Sequence, residues 1–314
     1  MTTLRWLYGL LKETVDGWSE DNVARLSAAL AFYAVLSLAP LLVMAVALAG
    51  AVFGEDAARG QIAAELSQIV GKSAGEGIQT LLQQADSPQQ GTLNSLLGLV
   101  VLLAGASGVF GELQSALNLV WNVEPKPGRG ILGIVRDRFF SFAMVMGVCV
   151  LLLASLALSA CLSFAGEVFE NALPGGALLS AALDFAISTL VIAVLFALIF
   201  KLVPDIEIDW RHVFPGAFAT AVLFSLGKHG LGWYLGRASV ASPYGAAGSV
   251  VVLVIWVYYA AQIMLLGAEF THVYARARGA HVLPSRNAIE SAPARAAAVS
   301  VAAATTTQPV AARP

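Results

Sequence analysis

Charge is the scarcest commodity in this chain: 12% of its 314 residues are Asp, Glu, Lys or Arg, about half the ~25% of a soluble globular domain. Hydrophobic residues make up 58% and fall in long runs, which excludes an ordinary soluble fold and makes the chain an integral membrane protein. Cysteine is nearly absent. Cys149 and Cys161 share one apolar run, and on a continuous helix they stand ~18 Å apart, beyond the reach of a disulfide. Both read as small core or lipid-facing residues. The four histidines, His212, His229, His272 and His281, are scattered without HxxxH or HExxH spacing, so no metal site is expected. No GxxxxGK[ST] phosphate loop occurs, which excludes ATP as the direct energy source. Without clustered metal ligands a hydrolytic nuclease lacks its usual equipment. The expectation is therefore no catalytic residue, no cofactor and no enzyme. The first 25 residues carry Glu13, Asp16, Glu20 and Asp21 and no apolar core, so no cleaved signal is expected.

What the chain has in plenty is apolar sequence of membrane-crossing length. The organising stretch is Gly245–Arg278, almost unbroken in aliphatics and aromatics from Ala246 to Leu266; a helix of ~20 apolar residues crosses a ~30 Å hydrocarbon layer. Tyr258, Gln262, Glu269 and Arg276 form one polar seam on it, and lipid offers such a seam no partner. The reading is an all-α, six-span protein. The spans are about 27–53, 93–120, 139–165, 178–203, 214–235 and 246–274. Residues 1–26 form an amphipathic helix with the stripe Leu4, Leu7, Leu11, Val15 and Trp18, which lies on the membrane surface or packs on a loop of the same protein. Residues 54–92 form a helical outer loop, and 281–314, ending in Ala, Thr, Ser and Pro, a disordered tail. With six spans, fourteen of the 18 lysines and arginines fall on the side of the termini and three on the other. That places both termini in the cytoplasm of a multi-pass protein of the bacterial inner membrane. The same rule accounts for the basic loop at 126–138, so no nucleic-acid partner is expected.

Polar residues inside membrane helices are functional candidates. In the first span Tyr33, Ser37 and Pro40 share a face, with Pro40 either a kink satisfied by a neighbouring helix or a hinge in a cavity wall. The second span is dense in small residues, Gly105, Ser107, Gly108 and Gly111, that permit close helix approach; it continues into Glu112, Gln114 and Asn118. Gln114 and Asn118 lie one turn apart, with Glu112 nearly opposite. Glu112 is costly if it sits within the bilayer and interfacial if the span ends near Leu113. In the fifth span Lys228 and His229 stand out: a mid-bilayer Lys costs at least about 2.5–3.5 kcal/mol, so Lys228 either snorkels to the outer face or serves as a functional cation. The loop 204–216 alternates acidic and apolar residues, and as an extended chain it places Asp205, Glu207 and Asp209 on one side, a set that could suggest Mg²⁺ but reads more readily as a solvated face. The expectation joining these residues is a common wet interior onto which Lys228, Glu112 and Gln262 converge.

Four stretches together resemble the YihY/BrkB family of bacterial inner-membrane proteins: ARLSAALAFYAVLSLAPLL (24–42), ASGVFGELQSALNLVWNV (106–123), PGAFATAVLFSLGKHGLGWYLG (215–236) and YGAAGSVVVLVIWVYYAAQIMLLGAEFTHVYAR (244–276). The resemblance covers about residues 10–280 and implies a six-span inner-membrane protein. Members of that family have carried a ribonuclease label or been associated with serum resistance or envelope lipid export; no agreed catalytic motif comes with membership. The readings that follow are a transporter or permease for an envelope lipid or an anionic solute, with membrane lipids as partners, and a non-transporting scaffold or envelope assembly factor. A nuclease is disfavoured. The sequence leaves the oligomeric state open.

Overall fold

The computed structural model describes residues 3–54, 56–57, 59–62, 64, 108–127, 176–237, 248–280, 282–286 and 288–292. Helix α1 (Thr3–Glu20) is followed by a tight turn in which Asn22 takes a positive φ of 52°, a conformation Asn tolerates better than most residues. Helix α2 (Val23–Phe53) runs unbroken through Pro40 and ends at Gly54, whose φ of 87° suits a residue without a Cβ. Helix α3 covers 108–120 and leads into strand β1 (Val123–Pro125). Then come α4 (Gly176–Leu202), β2 (Ile206–Glu207), α5 (Trp210–Arg237), α6 (Gly248–Ala277), β3 (Leu283–Pro284) and β4 (Ala288–Glu290).

The described part is mostly helical. Among the described residues, Val250–Ala277 within α6 is long and apolar enough to cross a membrane. The expected first, fourth, fifth and sixth spans fall on α2, α4, α5 and α6. The expected third span and the outer loop beyond residue 64 lie outside the described residues, as do Gly105, Ser107 and both cysteines. Helix α6 packs against α5, α2 and α1, and α5 packs against α4.

Small residues are buried on α4 and α5 while several large apolar ones face outward. On α5 the buried positions are Val213, Ala217, Thr220, Ala221 and Ser225, whereas Phe214, Phe218, Leu223 and Leu226 face outward. On α4, Thr189, Ala193 and Ala197 are buried together with Phe196 and Phe200, while Phe185, Leu190 and Val194 are exposed. Small side chains between helices and large apolar ones outside are what lipid-embedded helices require. The α5–α6 crossing shows how close the approach is. A Cβ at Gly267 would overlap Thr220, and one at Gly216 would overlap Thr271. Each threonine hydroxyl donates to a carbonyl one turn back on its own helix, Thr220 to Gly216 and Thr271 to Gly267. The hydroxyl, which lies against the opposing glycine, is thus satisfied within its own helix. In α3, Gly108 carries the ring of Tyr33, 3.0 Å from where a Cβ would stand, whereas Gly111 faces open space.

At one end of the bundle the chain closes on itself. Strand β4 pairs antiparallel with β1, Val123 opposite Glu290 and Pro125 opposite Ala288. Strand β3 pairs antiparallel with β2, Ile206 opposite Pro284. Ser285 N–H donates to Asp205 O at 2.9 Å and Ser291 N–H to Asn122 O at 2.8 Å, and Lys126 Nζ donates to Arg286 O at 2.7 Å. This corrects the expectation of disorder throughout 281–314: residues 282–286 and 288–292 form a strap across two interhelical loops. The loops expose short strand edges whose backbone groups need partners, and Leu283, Ala288 and Ile289 supply apolar sequence to meet them. The rest of the tail lies outside the described residues.

Candidate functional site

The structure distributes the candidate residues over three places. The first is a polar node between α3 and the loop after α4. Asn118, almost wholly buried, donates from Nδ2 to Asp205 Oδ2 at 3.1 Å and accepts the Asp205 backbone N–H on its Oδ1 at 2.8 Å. Gln114 Nε2, one turn earlier, donates to the same Oδ2 at 3.3 Å. The pairing of Gln114 with Asn118 on one face is as the helical spacing implies; their acidic partner is not. The alternation in the loop holds for Ile206 and Ile208, which are buried, and for Glu207 and Asp209, which are exposed. Asp205 departs from it. Its carboxylate leaves the solvated side because two amides compensate it. Glu112 is half-exposed on another face of α3, and no hydrogen bond or ion pair is made to it among the described residues.

The second place is an open groove of 360 Å³ between α5 and α6, lined by Lys228 with Phe224, Leu231, Trp256, Tyr259 and Ile263. The floor is shaped by Gly227, Gly230 and Ala260, whose small size leaves the space. Phe224 and Trp256 meet edge to face with ring centroids 6.0 Å apart, which fixes one wall. Lys228 is half-buried and supplies the only formal charge among the lining residues. A cation at the rim of an aromatic and aliphatic trough suits a molecule with one anionic group and an apolar body. Gln262 and Glu112 do not line it. Tyr258 and Gln262 are half-buried on α6, and Tyr258 packs edge to face on Tyr259 at 5.5 Å. The side chain of His229 lies outside the described residues, as does that of Pro40. In α2, Ser37 is buried with its hydroxyl donating to Ala34 O at 3.0 Å, and the exposed Tyr33 ring packs on Gly108 and on Phe32 at 5.6 Å.

The third place is where α1 lies along the C-terminal part of α6. Glu269 is 3% exposed and lies within hydrogen-bonding reach of Asp21 in the α1–α2 turn. Its Oε1 has no hydrogen-bond partner among the described residues. Glycine at position 17 makes room: a Cβ there would stand 2.9 Å from Glu269 Oε2. Further along, Arg276 forms an ion pair with Glu13, and Arg278 lies 5.2 Å over the Trp6 ring, which meets Tyr274 edge to face at 6.3 Å. The lower half of the α6 polar seam, Glu269 and Arg276, therefore faces α1. Of the α1 stripe, Leu4, Leu7, Leu11 and Val15 are exposed, and it is Leu10 and Thr14 that are buried. Asp21 was not among the sequence candidates. Its signal was its place in a Glu-Asp-Asn turn beside the helix that must shield Glu269.

Comparison with known proteins adds the following. The family described as "Virulence factor BrkB" matches residues 14–290. A UPF0761 membrane protein of Chromobacterium violaceum is 30% identical over 254 residues, 80% of this chain and 58% of that protein. One from Verminephrobacter eiseniae is 31% identical over 257 residues, with the same two shares of 80% and 58%. One from Mannheimia succiniciproducens is 25% identical over 287 residues, 87% of this chain and 91% of that protein. The chain thus spans under three fifths of the length of the first two. No solved structure matches.

Proposed function

The chain belongs to the BrkB virulence-factor family of membrane proteins, and from that premise we propose that it is a six-span inner-membrane permease for an anionic amphiphile, an envelope lipid being the leading class. The observation that carries this reading is the α5–α6 groove: one cation, Lys228, set among Phe224, Trp256, Tyr259, Leu231 and Ile263. A buried apolar body and a single ionic contact are the recognition that a headgroup and acyl chain call for. The outward-facing aromatics and aliphatics of α4 and α5 support burial in lipid. The charge asymmetry supports cytoplasmic termini. The exposed apolar stripe of α1, flanked by Arg5 and Lys12, supports a helix lying on the cytoplasmic leaflet. The reading assigns no enzymatic role and no nucleic-acid partner.

The test is movement of labelled anionic and zwitterionic lipid, and of anionic solute, in vesicles containing the purified protein. Anionic lipid should move above the empty-vesicle rate, and Lys228→Gln should abolish most of that excess while Lys228→Arg retains it. Equal rates with and without protein would count against it. A second reading, a non-transporting scaffold, draws on the close α5–α6 crossing and on the separation of the polar residues into three groups. It is the reading left standing if no cargo moves.

A further inference from the structure

Glu269 poses a question that the groove does not answer. It is 3% exposed, it sits opposite another acid, and one of its oxygens has no partner among the described residues. Among the described residues no cation compensates it. Arg276, two turns along α6, is held by Glu13. His272 is engaged by the Val120 backbone and lies against Trp121 at 5.0 Å. From α1, Glu20 adds negative charge. The first turn of α2 carries Arg25, which is exposed. The face of α5 toward this part of α6 presents Gly216 and Thr220, neither of which titrates. An ionised carboxylate in such a place is costly to desolvate.

The placement of Asp21 is informative: its N–H donates to Gly17 O at 2.9 Å, one turn on from the glycine that faces Glu269 Oε2. Two carboxylates are both acceptors and cannot hydrogen-bond each other; a carboxyl–carboxyl hydrogen bond requires one proton between them. Two ionised carboxylates so close, one of them buried with an unpartnered oxygen, repel, and a proton held between them turns that repulsion into a hydrogen bond. Gly17 is the third component, since any side chain there would press on the Glu269 carboxyl. Among the described residues no group of three or more potential metal ligands occurs.

We infer that Asp21 and Glu269 form a proton-binding site that clamps the N-terminal helix to the C-terminal part of α6. With the proton in place, the pair carries one negative charge and one hydrogen bond, and α1 lies against α6. Without it, two carboxylates face each other beside Glu20, and repulsion together with the need for water drives the α1–α2 turn away from α6. The site stands whether or not the protein moves a solute, so its failure and that of the permease reading are separable.

Infrared difference spectroscopy on the full chain in nanodiscs, titrated in pH, is the test, with the protonated-acid C=O stretch as readout. A band should persist at neutral pH, shift in D2O, vanish in Glu269→Gln, shift in Asp21→Asn, and remain in Glu124→Gln, whose side chain lies exposed on β1. No acid band at neutral pH, or one unchanged in Glu269→Gln, would overturn the inference. So would loss of the band on adding Na⁺ at fixed pH, which would make the site a metal-cation site. Should Glu269→Gln fail to fold, Asp21→Asn decides: a band that neither shifts nor weakens rejects the pair.

Discussion

Asn118 shows how much one amide can hold together. It donates to the Asp205 carboxylate and accepts that residue's backbone N–H, so it fixes the loop between α4 and α5 by both side chain and main chain. Gln114 adds one longer contact to the same oxygen. Removing a partner from a buried polar group costs about 1–3 kcal/mol, more when the group left behind is charged. Asn118→Ala should therefore lower the thermal midpoint in detergent, measured by intrinsic fluorescence, by clearly more than Gln114→Ala, which removes a single bond. Equal small effects from the two would show that Asp205 finds another partner. The residue scale is also where the sequence was least legible. The helical period put Gln114 and Asn118 on one face, but whether their partner was another span or a loop acid 87 residues away depends on a tertiary contact that no local pattern encodes. For the same reason Glu269, Gln262 and Lys228 appeared equivalent as polar residues in apolar helices. Only packing separates Glu269, closed in by Gly17 and Asp21, from Lys228 at the rim of an open groove.

Helices make their own predictions. The α5–α6 crossing is a reciprocal pair, Thr220 over Gly267 and Thr271 over Gly216, with no slack on either side. Gly267→Ala forces a methyl into Thr220, and overpacking of this kind costs about 1–3 kcal/mol. The double variant Gly267→Ala/Thr220→Ala removes the obstruction and should recover part of the loss. A thermal-midpoint cycle with purely additive effects would mean that the helices simply move apart. Docking of α1 is predicted to depend on pH, and the sign follows from Asp21. Burial raises its carboxyl above the ordinary 3.8, and the negative charge of Glu20 adds to the rise, against the lowering effect of the Glu269 hydrogen bond. The docked state thus holds more protons than the undocked one. Docking stabilisation is fully present below the ordinary value and is lost as pH rises through the raised one. Spin labels at Gly9 and Ala277, both exposed, should report one distance at acidic pH and a broader, longer distribution as pH climbs. A pH-independent distance would contradict it. At this scale the sequence was informative, because apolar length and Gly/Pro punctuation mark α2, α4, α5 and α6 without tertiary help. The stripe on α1 was equally visible, but not its direction. The residues that face the bundle, Leu10 and Thr14, are not the most apolar set; of the stripe Trp18 packs against the core, while Leu4, Leu7, Leu11 and Val15 are exposed.

For the molecule as a whole, the C-terminal strap decides which end of the bundle is closed. Residues 283–290 pair with β1 after α3 and with β2 before α5, so one short segment links the two loops to the end of α6. Composition concealed this: short strands carry little periodicity, and the Ala-rich sequence that follows reads as tail from Pro284 onward. The family match ending at residue 290 coincides with the end of β4. Two truncations separate strap from tail. Stopping after residue 292 removes none of the described pairings and should leave the thermal midpoint and detergent-phase homogeneity unchanged. Stopping after residue 280 deletes both ladders, frees the edges of β1 and β2 and releases the bond from Ser285 to Asp205. It should lower the midpoint by several degrees, because the segment after α3 loses its anchor at Arg286. If both truncations behave like the full chain, the strap is a passive edge and the polar node of Asn118 and Asp205 alone holds that end of the bundle. If only the longer deletion fails, closure by the strap is part of what makes these helices a single folding unit.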